Sequence, residues 1–393
     1  MVSSGGGNQV KNVILSTNIL PPYRVPLFNT LGRFLRERGY DFKVVFLAER
    51  ESNRQWRVRK EELKVEHVLL PGWHYFLWRY EFPIHINPGI WKFLKKENPD
   101  VIIAGGYSIP AYWVGLLYCK VFKKKLILWT STTPECVKGR DVIRRSLRAF
   151  FIRQADAFVT YGTRAADFLE QFGVDKGSVF IGCNVGDVEF FKKATAEYRK
   201  SHNFHKEKKK FSSPVLLFVG QLISRKGILQ LLQALSGLKS RPWTLIAVGS
   251  GPLQGEIEKQ LRKKNLQDRV HLVGFHEKEA LAKFYALADI FVLPSLQEPY
   301  AIVVSEALAS GLFTITSRYD GAAWDLIKPG ENGLVVDPAN IEELRLAIEK
   351  ALDIASEPGF SREKIVHSIE QFTLERYAQA FVDAVNYVIK RPR

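Results

Sequence analysis

Two doubly wound α/β domains facing each other across a cleft are what this sequence predicts, on three observations. Short β-branched apolar runs alternate with longer helix-period segments along most of the chain, as parallel sheets covered on both faces require. The alternation occurs twice, on either side of a polar stretch near residue 200. The length of 393 residues suits two or three domains. With 46% hydrophobic and 25% charged residues, the composition is globular and excludes a wholly disordered chain.

In the first run, strands are expected at 13–17, 42–48, 101–104, 125–130, 157–162 and 179–182, and helices at 25–38, 110–122, 140–154 and 163–173. In the second, strands are expected at 215–220, 244–249, 270–274, 290–294, 312–316 and 333–336. Helices at 227–238, 253–264, 277–287, 301–310 and 341–352 fill the gaps. Residues 190–211, FFKKATAEYRKSHNFHKEKKKF, are polar and poor in aliphatics, and read as the interdomain connection. The division is then an N-terminal domain over 1–190, a linker over 191–211 and a C-terminal domain over 212–373. The amphipathic pattern 374–390 has no partner strand and is expected to pack back across the first domain, so that 374–393 joins it.

The opening MVSSGGGNQVKN lacks the apolar run of a signal peptide and reads as an unstructured leader. Val101 to Cys119 holds no charge over 19 residues, the length of a membrane span. Gly105, Gly106 and Pro110 divide it into a buried strand, a turn and a helix starting at proline. Three scattered cysteines exclude a disulfide framework, so a reducing, cytoplasmic setting is expected. None of the eight histidines has ligand spacing with another, and no metal site is expected.

The net charge is +16, and residues 1–200 carry +13 of it. The basic positions include Arg54, Arg57, Arg59, Lys60, Lys92, Lys95, Lys96, Lys123 to Lys125, Arg144, Arg145, Arg148 and Arg153. Aromatics interleave with them in GWHYFLWRYEF (72–82) and WKFLKK (91–96). Such a surface fits an anionic membrane face, a nucleic acid, or a solvated basic face over core aromatics.

Three segments carry candidate chemistry. VGQLISRKG (219–227) ends a strand, turns at Gly220 and opens a helix after Gly227. Glycine admits close backbone approach, helix-start amides favour an anion, and Arg225 and Lys226 add two cations. A diphosphate fits there, as does a plain strand-to-helix turn; an ATP P-loop is excluded because G-x-x-x-x-G-K-[ST] is missing. VGSGPL (248–253) repeats the strand, glycine turn and helix start more weakly. In LPSLQEPYAIVVSEALASG (293–311), Glu298 precedes a helix beyond a strand's carboxyl end, where ligands bind in open sheets. Glu306 sits within that helix among Val303, Val304, Ala307 and Leu308. Glu298 reads as a helix cap or a hydroxyl acceptor, and Glu306 as half of an internal ion pair or a site for sugar or ribose hydroxyls.

Glu298-x7-Glu306, the upstream LPS at 293–295, the Gly220–Gly227 loop and GSGP at 249–252 together resemble glycosyltransferase family 4, retaining enzymes of the GT-B fold. Softer similarities lie in STNILPPYRVPLF (16–28), residues 85–107 and ADAFVTYGTRAADFL (155–169). The resemblance implies two Rossmann-like domains and a nucleotide-diphosphate sugar as co-substrate, with no cofactor and no metal. It implies that Glu298 meets the donor sugar and that Lys226 and Arg225 neutralise the diphosphate near Gly220, Gln221 and Gly251. Glu306 would hold the ribose; amides around Tyr300, Ala301 and Ile302 would bind the distal phosphate; Gly274, Phe275 and His276 would border the base. Asn18, Pro22, Tyr23, Arg24 and Trp129 would face the acceptor, a glycan, a lipid-linked glycan or a small-molecule hydroxyl. Gln221 stands where relatives often carry Arg, Ala301 where they usually carry Gly, and Trp129 where some carry His.

The resulting expectation is a retaining glycosyltransferase of polysaccharide biosynthesis, cytoplasmic and peripheral on an anionic membrane face, with no nucleic-acid partner. A GT-B-like nucleotide-sugar epimerase and a non-enzymatic basic scaffold or nucleic-acid-binding protein are the alternatives.

Overall fold

A computed structural model of the chain describes residues 11–51, 56–57, 60–77, 82–137 and 142–391. Arg54, Arg59 and nearly all of the expected leader lie outside them. Two parallel sheets form the frame, each flanked by helices on both faces.

The first sheet has seven strands in the spatial order Glu66–Leu69, Tyr40–Phe46, Lys11–Thr17, Val101–Ala104, Lys125–Thr130, Ala157–Thr160 and Val179–Ile181. The second has six, in the order Val270–Gly274, Thr244–Val248, Val215–Val219, Ile290–Leu293, Phe313–Ser317 and Gly333–Val336. In both, the chain runs outward from the first strand of the domain and then returns past it to build the other side. That reversal opens a crevice beyond the strands' carboxyl ends. The central strands are almost wholly buried, which explains continuous runs such as VLLFV rather than alternation, whereas the edge strand Glu66–Leu69 is largely exposed.

The uncharged 101–119 stretch is the strand Val101–Ala104 and the helix Pro110–Val121. Among the described residues, no helix is long and apolar enough to cross a membrane. Strand Trp73–Leu77 pairs antiparallel with Phe82–Ile86, which was not anticipated, because aromatics on both faces obscure a period of two. The aromatics of WKFLKK are not a free surface. Trp91 packs edge-on against Tyr118, and Phe93 lies against the core.

The polar 190–211 stretch is largely helical and packs on the second domain. Helix Val188–Lys200 lies on helices Lys278–Leu287 and Ile302–Ala309, and helix His202–Lys208 follows it. Two of its cations are employed there, while others such as Lys206, Lys209 and Lys210 are exposed. Arg199 donates to the carbonyls of Tyr285, Ala286 and Ser310 at the carboxyl ends of those two helices, where a cation is favoured. Lys208 donates to Asp289 at 2.7 Å.

The last helix, Leu374–Lys390, returns to the first domain. It packs along helix Val25–Glu37 and over the strands Lys125–Thr130, Ala157–Thr160 and Val179–Ile181. Tyr377, Phe381 and Val385 join Phe28 and Trp129 in one buried cluster.

Candidate active site

Strand order in the second sheet reverses between Val215–Val219 and Ile290–Leu293, so a ligand site is expected beyond their carboxyl ends. The loops leaving these strands are locked together through backbone. Leu296 N–H donates to Arg225 O at 2.7 Å. Gly227 has φ +72°, and a Cβ there would lie 1.8 Å from Pro294 O, so glycine is required on both counts. The Ser250 loop joins them: Leu222 N–H donates to Ser250 O at 2.9 Å. Gly249 has φ +142°, with its would-be Cβ 1.9 Å from Gly220 O, and Gly251 abuts Leu222. Gly249 N–H in turn donates to Gly274 O at 2.8 Å, bringing Phe275 and His276 alongside. Phe275 is partly exposed, and His276 Nε2 lies 3.1 Å from Val273 O with its ring against Phe284.

On this backbone platform, Lys226 Nζ donates to Glu298 Oε2 and Arg225 lies 3.5 Å from the same oxygen. Glu298 is buried. The helix behind it has Ala301 as its cap residue and no side-chain cap, so Glu298 is an acid held by two cations and not a cap.

Asp320, missed in the sequence, organises this loop from beneath. Fully buried, it accepts from the amides of Ala301 and Ala322 at 3.0 Å each and from Thr316 Oγ1 at 2.9 Å. Burial, followed by the charge of Glu298, raises its carboxyl above the usual range, while those three donors oppose the rise. Asp-Gly-Ala-Ala at 320–323 carries a helix-cap signal, and Asp320 does cap helix Gly321–Leu326. The amide of Ala301 is therefore committed to Asp320, which corrects the phosphate role implied for it. Tyr300 is buried with its ring against the first domain, where a Cβ at Gly162 would lie 2.6 Å from it. Ile302 opens the uncapped helix.

Glu306, on the same helix, accepts from Tyr285 Oη at 2.9 Å. Among the described residues no cation lies within ion-pair distance of it, so the internal ion pair does not form. Burial pushes its carboxyl up to about 7, against the Tyr285 hydrogen bond and the charge of Lys278. Gly186 presses on this carboxylate: a Cβ there would lie 3.2 Å from Glu306 Oε1, and its N–H donates to Ser305 Oγ at 2.9 Å. Gly186, Lys278 and Tyr285 were not singled out in the sequence, because their part depends on helix packing.

Facing these loops is the first domain. Gln297 Nε2 donates to Cys136 O at 3.0 Å, Thr163 N–H to the Asp325 carboxylate at 3.2 Å, and Arg164 lies 4.7 Å over the Trp324 ring. Asn18 Nδ2 donates to buried Glu51 at 2.7 Å, and Glu51 lies 3.7 Å from His85 Nε2. Pro22 starts a short helical turn, and Tyr23 meets Trp56 edge-on. Arg24 donates to Thr17 Oγ1 at 3.2 Å and to Tyr161 Oη, with its guanidinium 4.4 Å over the Trp129 ring. Trp129 itself is core: it is buried, and its Nε1–H donates to Tyr377 Oη at 2.9 Å. It supports Arg24 from below and has no face for an acceptor.

Two family models match, "Glycosyltransferase Family 4" over residues 28–189 and "Glycosyl transferases group 1" over residues 199–358, so that between them they take in most of both domains. The chain belongs to glycosyltransferase family 4. Among curated relatives of this family-4 chain, an uncharacterised glycosyltransferase of Methanocaldococcus jannaschii is 33% identical over 42% of this chain and 41% of that one. The alpha-D-kanosaminyltransferase of Streptomyces kanamyceticus is 30% identical over 36% of each chain. A GDP-mannose-dependent alpha-mannosyltransferase of Corynebacterium glutamicum is 38% identical over 35% of this chain and 31% of that one. The matched part thus spans between about a third and two fifths of the length of these relatives. In fold, this GT-B chain is similar to a glycosyltransferase from Rickettsia africae, with TM-score 0.76 and 16% identity over 98% of this chain and 100% of that one. It is also similar to HepE of Anabaena, solved with UDP and glucose, with TM-score 0.73 and 17% identity over 95% and 99% of the two chains.

Proposed function

We propose that this chain transfers a sugar from a nucleotide-diphosphate sugar to a hydroxyl of a glycan, a lipid-linked glycan or a small molecule, retaining the anomeric configuration and using no metal. The observation that carries this reading is the convergence of Arg225, Lys226 and Glu298 where the strand order reverses, on a loop that also touches the first domain. The base lies beside Gly274 to His276, and the ribose hydroxyls donate to Glu306. The diphosphate takes Arg225, Lys226 and the uncapped helix start at Ile302, where amides favour an anion. The sugar hydroxyls donate to Glu298.

Before the donor arrives, Lys226 and Glu298 neutralise each other. Binding exchanges that pair: Lys226 takes phosphate oxygen and Glu298 takes sugar hydroxyls, so neither buried charge loses a partner. The acceptor's hydroxyl oxygen bonds to the anomeric carbon on the face the phosphate leaves. The electron pair of the broken bond departs with the diphosphate, and the hydroxyl proton follows it. Arg225 and Lys226 hold the charge that develops there.

A thermal-shift panel of UDP-, GDP-, ADP- and dTDP-sugars tests the donor site, since a ligand bound only by the folded chain raises its melting temperature. One base is expected to give a clear shift that Glu306→Ala abolishes. No shift with any nucleotide sugar overturns the proposal.

A further inference from the structure

Residues 101–155 hold ten Lys and Arg against two acids, Glu135 and Asp141. Glu135 is engaged by Arg164. Two neighbouring helices in this stretch, Pro110–Val121 and Val142–Gln154, turn large apolar side chains outward. Val142 and Ile143 are each 72% exposed, and Leu147, Phe150, Leu117 and Val121 between 51% and 55%. Ile143, Leu147 and Phe150 recur at intervals of four and three residues and share one face of their helix. Phe151 and Ile152 make its buried side. On the other helix, Trp113, Leu117 and Val121 recur every four residues. The two stripes meet where the Trp113 and Phe150 rings lie parallel, 6.3 Å apart.

Six large apolar side chains turned outward on two adjoining helices are more than the single scattered exposures normal for a surface, and mark an interaction site. Its border decides the partner. Arg144, Arg145 and Arg153 on one helix, Lys120 on the other and Lys123 just beyond it are exposed, and the turn that follows Val121 adds Phe122 at 40% exposure. Apolar groups at the centre of a basic rim match the chemistry of an anionic bilayer, whose headgroups attract the rim while the acyl boundary takes the stripe. The WKFLKK helix, where the interleaved sequence pointed, borders this face, with the Trp91 ring 6.1 Å from that of Phe122.

We propose that the face formed by helices Pro110–Val121 and Val142–Gln154 docks the chain on an anionic membrane surface, with Ile143, Leu147, Phe150, Leu117 and Val121 entering the interface. This goes beyond the transferase reading and does not depend on it.

The test is co-sedimentation of the full chain with phosphatidylcholine vesicles, with and without about one third phosphatidylglycerol. The chain is expected to pellet with the anionic vesicles only and to release at about 1 M salt, where the screening length falls to about 3 Å. Ile143→Glu with Leu147→Glu should lower the bound fraction about tenfold or more, and Arg144→Glu with Arg145→Glu should do so comparably. Both variants should keep the wild-type circular dichroism, since all four side chains are exposed. Equal binding to neutral and anionic vesicles, binding to neither, or unchanged binding by the Ile143/Leu147 variant overturns the proposal. So does a concentration-dependent dimer that this variant abolishes, which would give the face to a second copy. Nucleotide-sugar binding is a separate readout, so vesicle binding can fail while the transferase reading stands, and the reverse.

Discussion

Lys226 and Glu298 stand 72 residues apart in sequence, and the lysine ammonium donates directly to the Glu298 carboxylate. Each is on a loop leaving one of two adjacent strands, so pairing of Val215–Val219 with Ile290–Leu293 is what brings them together. In the proposed mechanism Lys226 meets charge that grows as the diphosphate leaves. Lys226→Ala is expected to lower kcat/KM by about 10²–10³-fold. Steady-state transfer, with circular dichroism to confirm folding, measures it. Wild-type kcat/KM would remove Lys226 from the site.

Glu306 makes donor binding depend on pH. Its carboxyl is pushed up to about 7 by burial. Ribose hydroxyls donate to the ionised form, so below pH 7 each binding event must release a proton. Nucleotide affinity should rise about tenfold per unit as pH climbs toward 7 and level off above it. Titration calorimetry from pH 5.5 to 8.5 reads this directly, and Glu306→Gln should flatten the profile.

The same residue fixes the sign of a stability effect. A carboxyl raised above its unfolded value binds its proton more tightly in the folded state, so stability is present at low pH and is lost as pH rises through about 7. Glu306→Gln, which needs no ionisation, should therefore be more stable than wild type at pH 8 by about 1–3 kcal/mol and equal near pH 4. Denaturant midpoints at the two pH values check it, and the opposite sign would mean that the ionised form is stabilised.

Asp320 holds the Glu298 loop through the amides of Ala301 and Ala322. Asp320→Ala leaves both amides and the Thr316 hydroxyl without their acceptor, at a cost of about 2–4 kcal/mol. Donor binding should fall with stability, because the loop it secures carries Glu298. A variant with full stability and affinity would show that the loop holds itself.

Trp129 gives a contrasting case. Tyr377→Phe removes the acceptor of its indole N–H in the core, which should cost about 1–2 kcal/mol and leave transfer kinetics unchanged at temperatures where the variant is folded. Loss of acceptor affinity in this variant would return Trp129 to the acceptor side.

The sequence by itself determined the two alternating runs, twelve of the thirteen strands of the two parallel sheets to within a few residues, and the Arg225, Lys226 and Glu298 loops; the exposed edge strand Glu66–Leu69 and the separate antiparallel pair, which lack a buried apolar run, were not legible. Buried strands and glycine turns leave local patterns, and a parallel sheet puts such loops at one edge whatever the connecting helices contain. Only the tertiary structure decided that Asp320 grips Ala301, that Gly186 presses on Glu306 and that Arg199 clasps two helix ends. Those depend on groups brought together from distant parts of the chain, and a buried carboxylate's donors leave no periodic trace. For the same reason the family resemblance put Trp129 on the acceptor side. Its strand looks alike from either side, and the helix that covers it arrives about 250 residues later. The outward apolar stripe of Val142–Gln154 was likewise unreadable, since a hydrophobic periodicity says that a face wants covering but not whether the fold covers it.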